Sequence, residues 1–291
     1  MASQSQTALP GGTYRVGDLE LTRVGYGAMQ LAGPGVFGPP RDHDEALAVL
    51  RTAVELGIRH VDTADFYGPY VTNELIREAL APYPEDLHVV TKVGAVRDDR
   101  GSWTLDRSPA ALRSQVHDNL RHLGLDVLDV VNLRVGDPEG PTAGSIAEQV
   151  EAMAELAQQG LVRHVGLSNV TADQLAQARA ITPVVCVQNL YNLAQRQDDE
   201  LVDLTAREGI AFVPFFPLGG FTPLQSTELE AVATRLGTTP MSVALAWLLQ
   251  RSPNMLLIPG TSTVAHLRQN VAAAALQLPP EELLVLDSIG G

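Results

Sequence analysis

The chain has 291 residues, 45% of them hydrophobic and 19% charged, which suits one folded domain with a sizeable core and argues against disorder. Its net charge of −14, from 20 basic against 34 acidic residues, disfavours nucleic acid or an anionic membrane as a partner, because phosphates would be repelled. The lone cysteine, Cys186, has no disulfide partner within the chain, and no cysteine cluster marks a metal site.

Residues 1–10 are polar, with neither a cationic start nor an apolar run, and read as a loose tail rather than a signal peptide. No stretch has the length of a transmembrane helix, so the expected setting is the cytoplasm. Residues 13–21 read as a small hairpin with Gly17 near its turn. Eight strand-like apolar runs follow, at 24–29, 60–64, 88–93, 125–133, 164–168, 184–188, 211–216 and 255–259. Helical patterns lie between them. Residues 44–56 carry Leu47, Leu50 and Val54 at helical spacing and stop at Gly57. Ser108 and Pro109 open the next in N-cap and N1 order, and it continues through Leu112, Val116 and Leu120. Others fill 145–159, 172–181, 198–208, 240–250 and 264–275.

Unbroken strand–helix alternation implies parallel strands joined by helical crossovers. Eight such units at this length predict a single closed (β/α)8 barrel rather than an open sheet. An open dinucleotide-binding sheet would show three spaced glycines after its first strand. Here Gly25 and Gly27 are followed by Gln30 where the third should stand, and that reading is rejected.

Strands buried on both faces should be apolar throughout. Yet Asp62 lies late in the second run, Lys92 in the third, and Asn132 and Arg134 at the end of the fourth. Ser168 and Asn169 close the fifth run and Gln188 the sixth. In a β/α barrel these ends share one rim, where active sites are built. Alternation puts His60 with Asp62, Val90 with Lys92, and Val130 with Asn132 and Arg134 on the inward face. A single buried aspartate is more often a satisfied structural group; five consecutive strands point to a site. A lysine beside a carboxylate stays charged, and its field is expected to lower the pKa of a nearby phenol from about 10. Tyr67, in the loop after Asp62, can then hand a proton to a carbonyl oxygen.

The run His60-Val-Asp62-Thr-Ala-Asp-Phe-Tyr67-Gly68, followed by Thr91-Lys92 and Gly166-Leu-Ser168-Asn169, resembles the aldo-keto reductases. So do Val187-Gln188, Pro217-Leu218-Gly219 and Ile258-Pro259-Gly260 with Asn270 downstream. The resemblance implies a barrel domain over 13–291 behind a loosely held tail at 1–12, and reduction of an aldehyde or ketone to an alcohol by NADPH. By position, Tyr67 would donate the proton, Lys92 activate it and Asp62 orient Lys92. Ser168, Asn169 and Gln188 would hold the nicotinamide carboxamide, Phe215 would stack on its ring, and Leu218 to Gly220 would follow the pyrophosphate. Ser262, His266, Gln269 and Asn270 match the adenosine end. Ser262 is read at the start of a helix whose free N–H groups would attract a 2′-phosphate, which favours NADPH.

Arg134 stands where the family usually has a catalytic histidine. An arginine does not shuttle protons near neutral pH, but it can steady a developing oxyanion. A non-catalytic redox sensor, and an aldolase using Lys92 as a Schiff-base amine, are the competing functions; borohydride trapping would expose the second. Met29, Phe37, Phe66 and Trp103, the last in a polar loop at 96–107, are the residues expected to border the substrate. The segments 25–30 and 35–40 resemble those of bacterial reductases near the pyridoxal-reducing branch. His117 and His122 are expected to be solvated, no histidine pair has metal-ligand spacing, and nothing marks an oligomer interface.

Overall fold

The computed structural model describes residues 9–98, 100–137, 140–220, 224 and 226–290. Most of the expected tail therefore lies outside the described residues. Residues 9–12 are tied down: Leu9 packs against the core, and the Gly12 carbonyl accepts a hydrogen bond from the Arg23 N–H.

Strands β1 (Thr13–Val16) and β2 (Leu19–Thr22) form the expected hairpin, turning at Gly17 with φ +64°. The central sheet takes β3 (Tyr26–Gly27), β4 (His60–Asp62), β5 (His88–Val93), β8 (Leu128–Arg134), β9 (Val162–Ser168), β10 (Val184–Gln188) and β11 (Ala211–Phe212), all paired parallel in that spatial order. The eighth run does not form a regular ladder. Met255 bridges Phe212 on one side, Leu257 bridges Val24 on the other, and Gly260, just past the run, bridges Gly27, all in parallel, and these close the ring. Close approach explains Gly27, since a Cβ there would stand 2.5 Å from the Ile258 carbonyl oxygen.

Alternation along the strands builds two cores. Outward residues such as Val89, Val131, Leu133, Val165 and Leu167 pack under the helices in one large cluster. Inward residues Val90, Val130, Cys186, Ala211 and Leu256 fill the barrel together with Val16, Leu19 and Leu21 of the hairpin, which plugs its N-terminal end. With that end filled by apolar side chains, the polar strand ends are left for the opposite mouth.

The outer layer runs from α1 (His43–Glu55) through α2 (Val71–Leu80), α3 (Pro109–Leu123), α4 (Ala147–Gln158), α5 (Ala172–Arg179), α6 (Asp199–Arg207), α7 (Thr227–Arg235), α8 (Pro240–Arg251) and α9 (Val264–Ala273) to α10 (Pro280–Asp287). Ser108 caps α3 by accepting the Ala111 N–H with Pro109 at its first turn, as expected, and Gly124 ends it in the left-handed region. Helices α2, α7 and α10 are not among the sequence expectations. In α2 the buried Thr72 and Asn73 interrupt the apolar stripe that would have marked it. The expected loop at 96–107 is instead an antiparallel hairpin of β6 (Ala95–Arg97) and β7 (Trp103–Leu105).

Candidate active site

Neighbouring strands bring the polar ends into register: Lys92 lies opposite Asn132, Arg134 opposite Ser168, and Gln188 opposite Ser168. The Lys92 ammonium donates to Asp62 Oδ1 at 2.5 Å and to the Thr63 carbonyl at 3.0 Å. Gln188 Nε2 donates to the other carboxylate oxygen, Asp62 Oδ2, at 2.9 Å. Both oxygens of Asp62 are thus engaged, and the aspartate and lysine side chains are each only 3% exposed. Tyr67 is also buried, with the Lys92 nitrogen 5.4 Å from its ring centre.

Burial works against the charged ammonium, but the Asp62 carboxylate and Tyr67 outweigh it and hold Lys92 above the ordinary lysine value. The expectation of a lowered tyrosine pKa fails. Burial raises the Tyr67 phenol above its ordinary value and Asp62 adds to that, while Lys92 and Arg134 only partly offset the rise. Tyr67 therefore keeps its proton at neutral pH. Below the pair, His60 is fully buried with no partner for either ring nitrogen among the described residues, and burial pushes it down to about 4, so it is neutral.

Arg134 is 9% exposed and makes no hydrogen bond or ion pair among the described residues. Its guanidinium carbon lies 5.7 Å from the Phe215 ring centre, and burial lowers its pKa.

A cavity of about 270 Å³ opens beside these groups, lined by Met29, Asp62, Tyr67, Gln188, Phe215 and Leu218 among others. Gly220 also borders it. Gln188 lines it, and Ser168 and Asn169 adjoin Gln188 through the sheet; among the described residues Ser168 Oγ, Asn169 Oδ1 and Gln188 Oε1 are buried without a partner. A primary carboxamide carries two N–H donors and one carbonyl acceptor, the complement of two amide oxygens and one hydroxyl. The residues present therefore fit a nicotinamide carboxamide. Asn169 holds φ +55°, a left-handed conformation that asparagine tolerates, and its own amide donates to the Asp137 carbonyl.

The adenosine-end residues are arranged differently from the sequence expectation. Thr263, not Ser262, is the N-cap of α9, and it accepts the His266 N–H. The Val264 N–H is not free either, because it donates to Glu45 Oε1 of α1 at 2.9 Å. Ser262, Thr263 and Glu45 line a second cavity of about 680 Å³ shared with Met29. His266 and Gln269 are exposed and Asn270 is half-buried on α9.

Of the expected substrate-side residues, only Met29 lines the first cavity. Phe66 is 4% exposed and packs edge-on against Tyr67 and Trp103, at 5.3 and 5.2 Å between ring centres. Phe37 joins this cluster through Arg97, whose guanidinium carbon lies 5.6 Å from the Phe37 ring centre and 4.3 Å from that of Trp103. His122 is not solvated: Nδ1 sits 2.6 Å from Asp65 Oδ1, and the ring packs on Tyr70. Sequence reasoning also missed Phe216, Pro240, Met241 and Ala244 on the cavity wall. They are apolar residues of a loop and of α8, with no polar signature to single them out.

Residues 23–290 match the model of the Aldo/keto reductase family. The chain is 63% identical over 279 residues to the pyridoxine 4-dehydrogenase of Escherichia coli (strain K12), an alignment spanning 95% of this chain and 98% of that protein. A thermostable aldo-keto reductase solved with the inhibitor epalrestat superposes with a TM-score of 0.80 at 31% identity, over 96% of this chain and 99% of that one. An aldo/keto reductase from Klebsiella pneumoniae, solved in complex with NADP and acetate, gives 0.76 at 25% identity, over 95% and 94% of the two chains. The chain belongs to the Aldo/keto reductase family and is an NAD(P)H-dependent oxidoreductase acting on carbonyl groups.

Proposed function

We propose that this enzyme reduces pyridoxal and similar aldehydes to alcohols with NADPH, Tyr67 donating the proton. The observation that carries this reading is the buried Asp62–Lys92 pair beside the protonated Tyr67 phenol. When bound, the reduced nicotinamide supplies a hydride to the carbonyl carbon. Tyr67 gives its proton to the carbonyl oxygen, and the charged Lys92 stabilises the phenolate left behind. Asp62 keeps Lys92 charged and aimed, and Gln188 fixes the second oxygen of Asp62. Arg134, always protonated, adds positive charge beside the developing oxyanion.

Ser168, Asn169 and Gln188 are assigned to the carboxamide, Phe215 to the nicotinamide face, and Leu218 to Gly220 to the pyrophosphate; the partnerless Oγ, Oδ1 and Oε1 atoms support the first assignment. Ser262, His266, Gln269 and Asn270 are assigned to the adenosine end, with NADPH preferred and the Glu45 carboxylate tempering that preference. The pyridoxal assignment draws on the 63% identical Escherichia coli relative. A Schiff-base lyase is disfavoured because Lys92, held above its ordinary pKa, offers no neutral amine. A cytoplasmic setting completes the reading; among the described residues no helix is long and apolar enough to cross a membrane. A carbonyl panel including pyridoxal, followed by loss of reduced-nicotinamide absorbance with NADPH and NADH in turn, tests it. Absence of turnover with every carbonyl would overturn it.

A further inference from the structure

Among the described residues Arg134 is the cation of this mouth with neither a hydrogen bond nor an ion pair, the Asp137 carboxylate acting on it only through its field. Lys92 is paired with Asp62, Arg97 donates to the Gly35 carbonyl and lies against two rings, and Arg107 donates to the Val135 carbonyl. Arg134 has no such partner among the described residues, although it is only 9% exposed. Its position explains why it cannot move to solvent: it ends β8 on the same inward face as Asn132, opposite Ser168, with Phe215 of the cavity wall beside it. A buried guanidinium whose N–H groups meet no acceptor is costly even with the Asp137 carboxylate in its field, so its N–H groups are suited to an anion that arrives from outside.

The reduction itself does not require this charge in addition to Lys92, since Tyr67 supplies the proton and Lys92 faces the phenolate. A guanidinium also has a feature a single ammonium lacks. It presents parallel N–H groups in a rigid plane, which matches two oxygens held side by side.

The geometry points to Arg134 as the receptor for an oxyanion that the substrate carries next to its reacting carbonyl, and to ortho-hydroxy aromatic aldehydes as the substrate class. In such a molecule the formyl group and the phenolate oxygen sit on adjacent ring carbons, so the carbonyl oxygen and the phenolate oxygen can lie side by side in the ring plane. Arg134 engages the phenolate with one N–H and the carbonyl oxygen with the next, leaving that oxygen within reach of Tyr67. The aromatic residues around the mouth, Phe215 on the cavity wall and Phe66 and Trp103 packed with Tyr67, favour a flat ring over an aliphatic 2-oxo acid. Pyridoxal carries a hydroxyl in this ortho position, so the inference rests on the carbonyl-reductase reading above and extends it to a rule of specificity.

The test is kcat/KM with NADPH for benzaldehyde, 2-hydroxybenzaldehyde, 4-hydroxybenzaldehyde and 2-methoxybenzaldehyde, in the wild type, Arg134→Met and Arg134→Lys. The wild type is expected to prefer the 2-hydroxy compound over its 4-hydroxy and 2-methoxy counterparts by at least about ten-fold. Arg134→Met should bring those ratios close to unity, whatever its absolute rate, and Arg134→Lys should restore part of the preference. NADPH fluorescence titration reports whether each variant is folded; if Arg134→Met is not, the wild type and Arg134→Lys decide. Reduction of benzaldehyde with no ortho preference, or an ortho preference that survives loss of the guanidinium, overturns the inference and leaves carbonyl reduction standing. No reduction of any aldehyde overturns the underlying reading and this one with it.

Discussion

The Lys92 ammonium meets Asp62 Oδ1 at 2.5 Å with each side chain 3% exposed, so neither partner has water to fall back on. Asp62→Asn should therefore be severe. Removing one member of a buried pair costs about 3–5 kcal/mol, because the other charge stays buried alone. Urea unfolding of Asp62→Asn measures that loss, and turnover should fall with it.

The same pair has a pH signature. Lys92 is held above its ordinary value in the fold, so its stabilisation is complete below that value and fades as pH rises through the higher one. Stability of the wild type relative to Asp62→Asn should thus narrow only in strongly alkaline solution, as followed by unfolding at a series of pH values.

Tyr67→Phe should lower kcat for aldehyde reduction by about 10²–10⁴-fold while leaving NADPH titration intact, since the phenol is the only proton donor assigned. In the wild type the raised phenol pKa keeps the donor protonated through the neutral range. The rate of reduction should be flat there and fall only above pH 10. A decline of kcat below neutral pH traced to Tyr67 would contradict this.

Glu45 places a carboxylate on the first N–H of α9, where a 2′-phosphate would otherwise benefit from the helix dipole. A charge at that point is worth about 0.3–1 kcal/mol. Glu45→Gln should lower KM for NADPH by about two- to five-fold and leave KM for NADH nearly unchanged. Equal effects on both cofactors would remove Glu45 from phosphate selection.

His122 holds Asp65 in the loop that carries Tyr67, and Asn73 donates to the same oxygen at 3.0 Å. Burial raises the Asp65 pKa and His122 works against that rise. His122→Ala leaves the half-buried carboxyl short of a donor, and should cost about 1–3 kcal/mol of stability and reduce kcat. Thermal unfolding and a kcat measurement on the same preparation check both halves.

Much of the site was legible because a barrel strand is apolar by default. Asp62, Lys92, Asn132, Arg134, Ser168 and Gln188 stand out against that background, and two-residue alternation aims Asp62, Lys92, Asn132 and Arg134 inward. The eighth strand was legible as an apolar run, yet only the bridges from 255–260 to Phe212, Val24 and Gly27 show how it closes the ring. Helix α2 was missed for the opposite reason: its inner face buries Thr72 and Asn73 in hydrogen bonds, and periodicity reads only apolar stripes.

The sequence by itself determined the strand order, the barrel class and the chemistry at the strand ends, because these depend on residue type and on spacing along the chain. The tertiary structure alone decided what each group faces. Burial, which depends on everything packed around it, raised the Tyr67 pKa against the field of Lys92. A side chain from α1, more than 200 residues away in sequence, took the N–H at the start of α9. His122 of α3 found Asp65 in the loop after β4, and Arg134 was left without a hydrogen bond or ion pair among the described residues. Contacts between distant segments set these fields and hydrogen bonds, and no local pattern encodes them.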